Sequence, residues 1–358
     1  MVAVPTSVNL VIVGAGVMGT ALTIPASDNG HQVVLVGSPL DDDVIDSIQH
    51  NRVHPKLQVA IPASVQAIKH DGLDSALLQR ADTVVVGVSS PGIPWAVDYL
   101  LEHGASLELL ALVTKGLVER KDARPWTYAE HLPEVLTALS ADSLVAIGGP
   151  CIARELALQQ PTAVVYASQN ATAAERLRQW LNTAYYHIDI STDVTGVEAC
   201  AALKNFLAIG VSATLTQFRI PAGNTVAGAK NPVAYAFNQA VREMMLLCQW
   251  LGGDVHTATD LAGMGDLHVT VGGGRNSRLG MLLGEGLSIS EALQGPLQGE
   301  TVEGRDTGQA LAAAIHRAIA AGELAAEKLP LTLAVVQSIT DDTKLESHYL
   351  GAPGQSIN

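Results

Sequence analysis

Positive charge and aromatic rings are what this chain has least of. Lys and Arg together number 21 against 35 Asp and Glu, a net charge of −14, and Phe, Trp and Tyr make up 4% of the residues. So acidic a chain repels polyanions, which excludes nucleic acid as an expected partner. It leaves room for a small anionic ligand, because a few local cations suffice to hold one phosphate. Cysteine is sparse too: Cys151, Cys200 and Cys248 lie far apart, odd in number and without metal-ligand spacing. Neither a disulfide framework nor a cysteine metal site is expected, and a reducing, cytoplasmic compartment fits. The 11 histidines are scattered, and no metal is expected. HExxH, CxxC and GxSxG motifs, internal repeats and low-complexity tracts are all missing. The first cation is Arg52, so the apolar run 8–26 lacks the positive start of a secretory signal. Gly14, Gly16 and Gly19 interrupt that run, and no membrane span is expected.

Aliphatic and small residues fill the space: 48% of the chain is hydrophobic and 33 residues are glycine. At 358 residues two domains are the natural expectation. Residues 8–13 (VNLVIV) form a β-branched run of the kind buried on both faces of a parallel sheet. Gly14-Ala15-Gly16-Val17-Met18-Gly19 follows, opening a predicted helix over 20–29, with a second strand over 31–36. Strand, glycine turn, helix and strand give GxGxxG the context of a dinucleotide site. Gly14 permits the tight turn, Gly16 lets backbone approach a pyrophosphate and Gly19 allows close helix packing. The pyrophosphate would rest on the helix N-terminus. Further strands are predicted over 82–88, 109–113, 143–147, 162–166 and 187–190, alternating with helices over 73–79, 92–103, 124–139, 152–159 and 172–181. The fold class is therefore an α/β N-terminal Rossmann-type domain with a mainly parallel sheet.

The acidic residue that bonds the ribose of NAD is expected about 20 residues past the glycines. That place reads Gly37-Ser38-Pro39, with Asp41, Asp42 and Asp43 slightly late and better suited to capping the next helix. Ser38 suits either nucleotide, so NADH and NADPH both stay open. Ligands in such sheets bind beyond the carboxyl ends of the strands. Lys115 falls at one such end and Gly149-Pro150-Cys151 at another.

Past Ser191 the pattern is almost wholly helical. The expected division is a dinucleotide-binding domain over 1–191, an all-α substrate and catalytic domain over 192–340, and a tail over 341–358 with little to pack. Residues 192–215 read as an apolar helix capped by Thr192 or Asp193, with Lys204 at its centre. Burial disfavours the charged form of a lysine and brings it toward acid/base work near neutral pH. The plainer alternative is a lysine that snorkels to a polar edge. Residues 218–231 read as a long loop, followed by a helix over 232–251 and another starting in 254–262. Asp266 is framed by glycines, and Arg275-Asn276 after Gly274 suits a phosphate fork. Helices are also predicted over 278–284, 289–294, 305–322 and 331–340.

Taken in order, GAGVMGTAL from Gly14, TKGL from Thr114, GGPCIARELA from Gly148, DVTGVEACAALKN from Asp193, LAGMGDL from Leu261, GGRN from Gly273 and VEG from Val302 resemble the NAD(P)-dependent sn-glycerol-3-phosphate dehydrogenases of the soluble bacterial and archaeal type. The resemblance spans residues 9–339. It implies reversible hydride transfer between NAD(P)H and dihydroxyacetone phosphate, giving sn-glycerol 3-phosphate for glycerophospholipid synthesis, in a homodimer. It also implies that Lys204 is the acid/base, with Lys115 close to substrate and nicotinamide and Asp266 orienting the lysine. Arg275 and Asn276, beside Gly274, would grip the substrate phosphate, the arginine also meeting the cofactor. Gly149, Cys151 and Ala153 would line the pocket, and Glu303 would close over the cofactor, with Gly14, Gly16, Val17, Met18, Gly19 and Ser38 on the nucleotide. Cys151 stands where the family usually has Ser or Thr, Gly274 where it has Ser, and Met18 where many members have an aromatic residue. A related β-hydroxyacid or polyol-phosphate dehydrogenase shares the two-domain plan and a helix-borne lysine. A dinucleotide-binding regulator without turnover is the remaining class.

Overall fold

The computed structural model describes residues 7–121, 123–218 and 229–346. Ten strands occur among them: β1 (Asn9–Val13), β2 (Gln32–Val36), β3 (Val65–Ile68), β4 (Thr83–Val86), β5 (Leu110–Leu112), β6 (Leu117–Val118), β7 (Trp126–Thr127), β8 (Leu144–Gly148), β9 (Thr162–Ala167) and β10 (Tyr186–Ser191). Eight of these form one sheet in the order β10-β9-β8-β5-β4-β1-β2-β3. All its neighbours run parallel except β8 and β9, which pair Ala146 with Ala167 in antiparallel register. The strand order reverses at β1, whose two neighbours are β2 and β4, so the crevice for a nucleotide opens beyond Val13 and Val86.

The helices interleaved with this sheet are α1 (Val17–Asp28), α2 (Asp42–Asn51), α3 (Ser75–Gln79), α4 (Ile93–Glu102), α5 (Tyr128–Val135), α6 (Ala153–Ala157) and α7 (Ala171–Leu181). β-branched strand residues such as Ile12, Val85 and Val145 are essentially inaccessible, because helices cover both faces of the sheet. The predicted helix over 124–139 is shorter than expected. Trp126 and Thr127 pair instead with Val118 and Leu117 in a short antiparallel ribbon, β6–β7. The strand β3 carries only Val65 and Ala67 as buried side chains, too little pattern to show in the sequence.

The second part holds α8 (Val194–Gln217), α9 (Lys230–Trp250), α10 (Asp266–Val271), α11 (Arg275–Gly284), α12 (Ile289–Gln294), α13 (Glu303–Ala320) and α14 (Pro330–Asp341). The helix expected within 254–262 is replaced by a 3-10 turn, Thr257–Thr259, and a π-helical turn, Leu261–Gly265. Asp260 interrupts the run there by accepting from the Leu261 N–H at 2.8 Å. Most of the loop expected over 218–231 lies outside the described residues, and Lys230 and Asn231 already belong to α9.

The chain separates into two compact units, residues 1–115 with 128–198, and residues 116–127 with 199–358. This differs from a division at Ser191. Glu198, in the first turns of α8, accepts from the Ala129 N–H of α5 at 2.6 Å, which ties it to the sheet unit. The β6–β7 segment goes with the helices: Leu117 packs on their core, and Arg317 donates to the Ala123 carbonyl at 3.1 Å. The first residues of the expected loose tail are also held, since Leu345 is buried in the helical core; residues 347–358 lie outside the described ones.

Helix α8 is the axis of the helical unit. Leu203, Phe206, Leu207, Ile209 and Val211 are all fully buried, which is what a helix apolar around its circumference requires. It is long and apolar enough to cross a membrane, yet 94% of its most apolar stretch is buried inside the protein. Its neighbours come unusually close. A Cβ on Gly280 would stand 2.2 Å from the Ile209 oxygen, and one on Gly284 would stand 2.1 Å from the Ala213 oxygen. Any side chain at those two positions would push α11 away from α8.

A second buried contact fixes α14. Glu243 of α9 is wholly inaccessible and accepts from the Leu331 and Thr332 N–H groups at 2.8 and 2.6 Å and from Gln239 at 2.8 Å. It caps a neighbouring helix, at the end where N–H groups have no partner of their own. Burial pushes its carboxyl above the usual range, while the bonds from Thr332, Gln239 and Leu331 pull the other way. Glu243→Ala is expected to lower unfolding free energy by about 2–4 kcal/mol, since it strands two buried donors. Urea unfolding followed by circular dichroism checks this, and a loss below about 0.5 kcal/mol would remove the cap from the account.

Candidate active site

The glycine turn sits at the crevice between β1 and β4. Gly14 has φ +110°, and a Cβ there would lie 2.8 Å from the Gly87 carbonyl carbon and the Val88 nitrogen. Only glycine fits such a conformation and such a neighbour. Its N–H donates to the Val36 carbonyl at 2.8 Å, fastening the turn to β2. Helix α1 begins at Val17, which is 39% exposed, and carries no acidic residue in its first turn. Its unbonded N–H groups and dipole therefore face solvent in a form suited to an anion. The residues present thus fit the dinucleotide that the motif implies.

Asp41 departs from expectation. It precedes α2, but its carboxylate makes no cap bond to that helix. Oδ2 accepts instead from the Ser38 N–H at 2.8 Å, the Ser38 hydroxyl at 2.7 Å and the Ala15 N–H at 3.1 Å. The Ser38 hydroxyl is thereby committed to Asp41 and also accepts from the Leu40 N–H at 3.3 Å, so its expected contact with the nucleotide falls to one remaining lone pair.

Lys115 follows β5, half-buried, and its carbonyl accepts from the Ser90 hydroxyl at 2.6 Å. Thr114 beside it donates to the Val88 carbonyl at 2.6 Å, so the two strand ends are bonded together. Lys115, Met18, Gly149 and Cys151 line one small cleft with Tyr186. Cys151 Sγ lies 4.0 Å from Met18 Sδ there. Ala153 is the buried first residue of α6.

Asp193 Oδ1 caps α8 by accepting from the Gly196 N–H at 2.9 Å. Lys204 is carried three turns in, where its side chain is only 8% exposed. Its Nζ lies 2.9 Å from Asp266 Oδ1, itself 3% exposed, and 2.7 Å from Thr270 Oγ1. Asp266 starts α10 and Thr270 is one turn on, so both project from the same face. Thr270 donates its own proton to the Asp266 carbonyl at 2.7 Å, which leaves its oxygen to accept from the lysine. The ammonium thus has a charged and a neutral acceptor, and the snorkelling alternative does not describe it.

Arg275 and Asn276 open α11 after Gly274. The Asn276 carboxamide accepts from the Gly304 N–H at 2.8 Å and donates to Asn205 Oδ1 at 2.9 Å. Asn205 in turn donates to Glu303 Oε2 at 3.1 Å, and Glu303 Oε1 stands 3.5 Å from Arg275 Nη2. These side chains form a closed ring. Asn276 is 8% exposed and contributes one remaining amide proton and its backbone to any phosphate, a narrower role than an open fork. Arg275 keeps 48% of its side chain exposed and is the freer partner for a dianion.

Residues 9–174 match the description "NAD-dependent glycerol-3-phosphate dehydrogenase N-terminus" and residues 193–349 the C-terminus of the same family. The chain belongs to the NAD-dependent glycerol-3-phosphate dehydrogenase family. It is 36% identical over 286 residues to the NADP(+)-dependent glycerol-3-phosphate dehydrogenase of Archaeoglobus fulgidus, covering 79% of this chain and 82% of that one. It is 28% identical over 338 residues to a glycerol-3-phosphate dehydrogenase [NAD(P)+] of Bacillus velezensis, covering 94% and 91%. The solved glycerol-3-phosphate dehydrogenase of Coxiella burnetii superposes with a TM-score of 0.76 at 26% identity, covering 97% of this chain and 98% of that one. Like its family, this chain is an NAD(P)-dependent oxidoreductase.

Three residues of this dehydrogenase, Asn205, Thr270 and His54, had no assignment from sequence, and Asp41 was expected only as a helix cap. Asn205 follows Lys204 directly, yet its part in the ring depends on α13 arriving beside α8. Thr270 could be found only by placing Asp266 on a helix and counting one turn onward. Asp41 and His54 act on the glycine turn through loop geometry that leaves no periodic trace. Thr270→Val removes the neutral acceptor from Lys204 while keeping volume. It is expected to lower kcat about tenfold with Asp266 still holding the lysine. Steady-state kinetics at saturating cofactor measure this, and an unchanged kcat would assign Thr270 to packing alone.

Proposed function

We propose that this chain interconverts dihydroxyacetone phosphate and sn-glycerol 3-phosphate, with Lys204 as the acid/base. The observation that carries the assignment is the buried lysine held by Asp266 and Thr270, in a chain of this family. Reduction of a ketone places negative charge on its oxygen, which needs a proton donor and nearby positive charge. NAD(P)H, when bound, supplies the hydride to the carbonyl carbon. Lys204 delivers a proton from Nζ to the carbonyl oxygen, so the product leaves as a neutral alcohol and the lysine as an amine. In the opposite direction the same amine takes the hydroxyl proton. Asp266 orients Nζ and compensates its loss of water. Lys115 contributes the second positive charge, and Arg275 with the start of α11 holds the phosphate. The family resemblance assigns Gly149, Cys151 and Ala153 to the pocket, and Glu303 and Arg275 to the cofactor. The alcohol serves as the backbone of glycerophospholipids.

A cytoplasmic homodimer completes the proposal. Cys200 and Cys248 are buried as free thiols, which suits a reducing compartment; the dimer rests on the family resemblance and is read directly by light scattering.

The test is dihydroxyacetone phosphate reduction with NADH and NADPH side by side, in wild type and Lys204→Ala. Wild type is expected to turn over, and Lys204→Ala to lose turnover by about a thousandfold or more, within the range of a lost general acid, while still binding nucleotide. Near wild-type turnover in the variant would take Lys204 out of the mechanism. A clear preference for a carboxylate acceptor over the phosphate would move the assignment to a β-hydroxyacid dehydrogenase.

A further inference from the structure

Ala15, inside the glycine turn and fully buried, is held at both its N–H and its carbonyl, on the two peptide groups that flank its Cα. Its N–H donates to Asp41 Oδ2 at 3.1 Å, and its carbonyl lies 3.2 Å from His54 Nε2 and 3.2 Å from the Thr20 hydroxyl. His54 is 1% exposed and lies beyond α2, in the segment leading away from it. Its Nδ1 accepts from the Lys56 and Leu57 N–H groups at 3.0 and 3.2 Å. Two donors at Nδ1 place the ring proton on Nε2, so the imidazole is neutral and donates to Ala15. Burial holds its pKa below the usual histidine value, in keeping with that form. Asp41 also holds both polar groups of Ser38, so Oδ2 collects three donors from the two loops that border the crevice.

Two consequences follow from these contacts. The Ala15 N–H is already spent on Asp41, so a pyrophosphate on this turn must use the N–H groups of Gly16, Val17 and Met18 at the start of α1. The direction of those groups depends on how the Ala15 backbone is turned. An acidic residue at this loop also has a familiar alternative role, bonding the ribose 2′-hydroxyl and so excluding a 2′-phosphate. In this structure the carboxylate oxygen nearest the turn instead accepts from three protein donors.

We propose that Asp41 and His54 are positioning residues for the cofactor, clamping the Ala15 backbone so that the N-terminus of α1 is aimed at the pyrophosphate, for NADH and NADPH alike. The proposal rests on NAD(P)H as the cofactor. It assigns Asp41 to the shape of the turn and not to the choice between the two nucleotides.

The experiment is titration of NADH and NADPH, followed by nucleotide fluorescence, in wild type, His54→Ala, His54→Gln, Asp41→Ala and Asp41→Asn, with thermal unfolding of each. His54→Ala and Asp41→Ala are expected to raise both Kd values about tenfold, leaving their ratio within about twofold. His54→Gln, which retains a donor toward Ala15, is expected to recover most of the affinity. In turnover, the rise in cofactor KM should exceed any fall in kcat. Should the alanine variants fail to fold, His54→Gln and Asp41→Asn carry the comparison: a smaller, equal weakening for both nucleotides is expected. Unchanged Kd values in folded variants would overturn the clamp. Selective tightening of NADPH by Asp41→Asn would overturn it too, by making Asp41 the selector. A wild-type chain that binds neither nucleotide would instead refute the cofactor reading on which the clamp rests.

Discussion

The ion pair between Lys204 and Asp266, buried at 2.9 Å, constrains the helical unit. Two opposite charges, nearly excluded from water, are costly unless their geometry is close and their remaining bonding capacity is met. Here Thr270 takes a second ammonium proton and hands its own proton to the Asp266 backbone. Around that polar centre the helix α8 is surrounded by apolar side chains. A lysine so placed cannot relax toward solvent, and its proton is held at a defined point. The same burial makes the pair fragile, because removing either partner leaves the other charge stranded.

The close approach of α11 to α8 serves this arrangement. Bare glycine faces at Gly280 and Gly284 let the helix that carries Arg275 and Asn276 lie against the helix that carries Lys204. Asn205, the next residue after the lysine, then bonds Asn276 and Glu303. Arg275 and the residue after Lys204 are thus connected through two amides and a carboxylate within one unit. Arg275 joins them through its contact of 3.5 Å with Glu303 and keeps its guanidinium exposed. The turn at Ala15 is held by the same kind of device in the other unit, with a carboxylate and a neutral imidazole in place of the amides.

Much of this was readable before any coordinates. The β-branched run ending at Val13, the GxGxxG turn and the α1 pattern are local signals, decided by sterics and by two-sided burial. The apolar ring around Lys204 is likewise local, since helix periodicity places it without knowledge of neighbours. Other parts were hidden because their stabilisation comes from residues distant in the chain. The strand β3 exists because β2 offers it an edge; the β6–β7 ribbon leaves its expected helix because Leu117 finds the helical core. The π-helical turn before Asp266 replaces a predicted helix through Asp260 and the glycines beside it.

Chain order alone therefore carried the class of fold, the dinucleotide turn, the apolar helix around Lys204 and the family to which they belong, since each rests on spacing along a single element or on motifs in series. Tertiary packing decided who partners whom. Whether Asp266 reaches Lys204, whether Asn276 is an open fork or a member of a ring, and whether Asp41 caps its own helix or grips Ala15 are questions of distance between separate elements. A carboxylate or an amide bonds the nearest unsatisfied donor, and only the fold determines which donor that is.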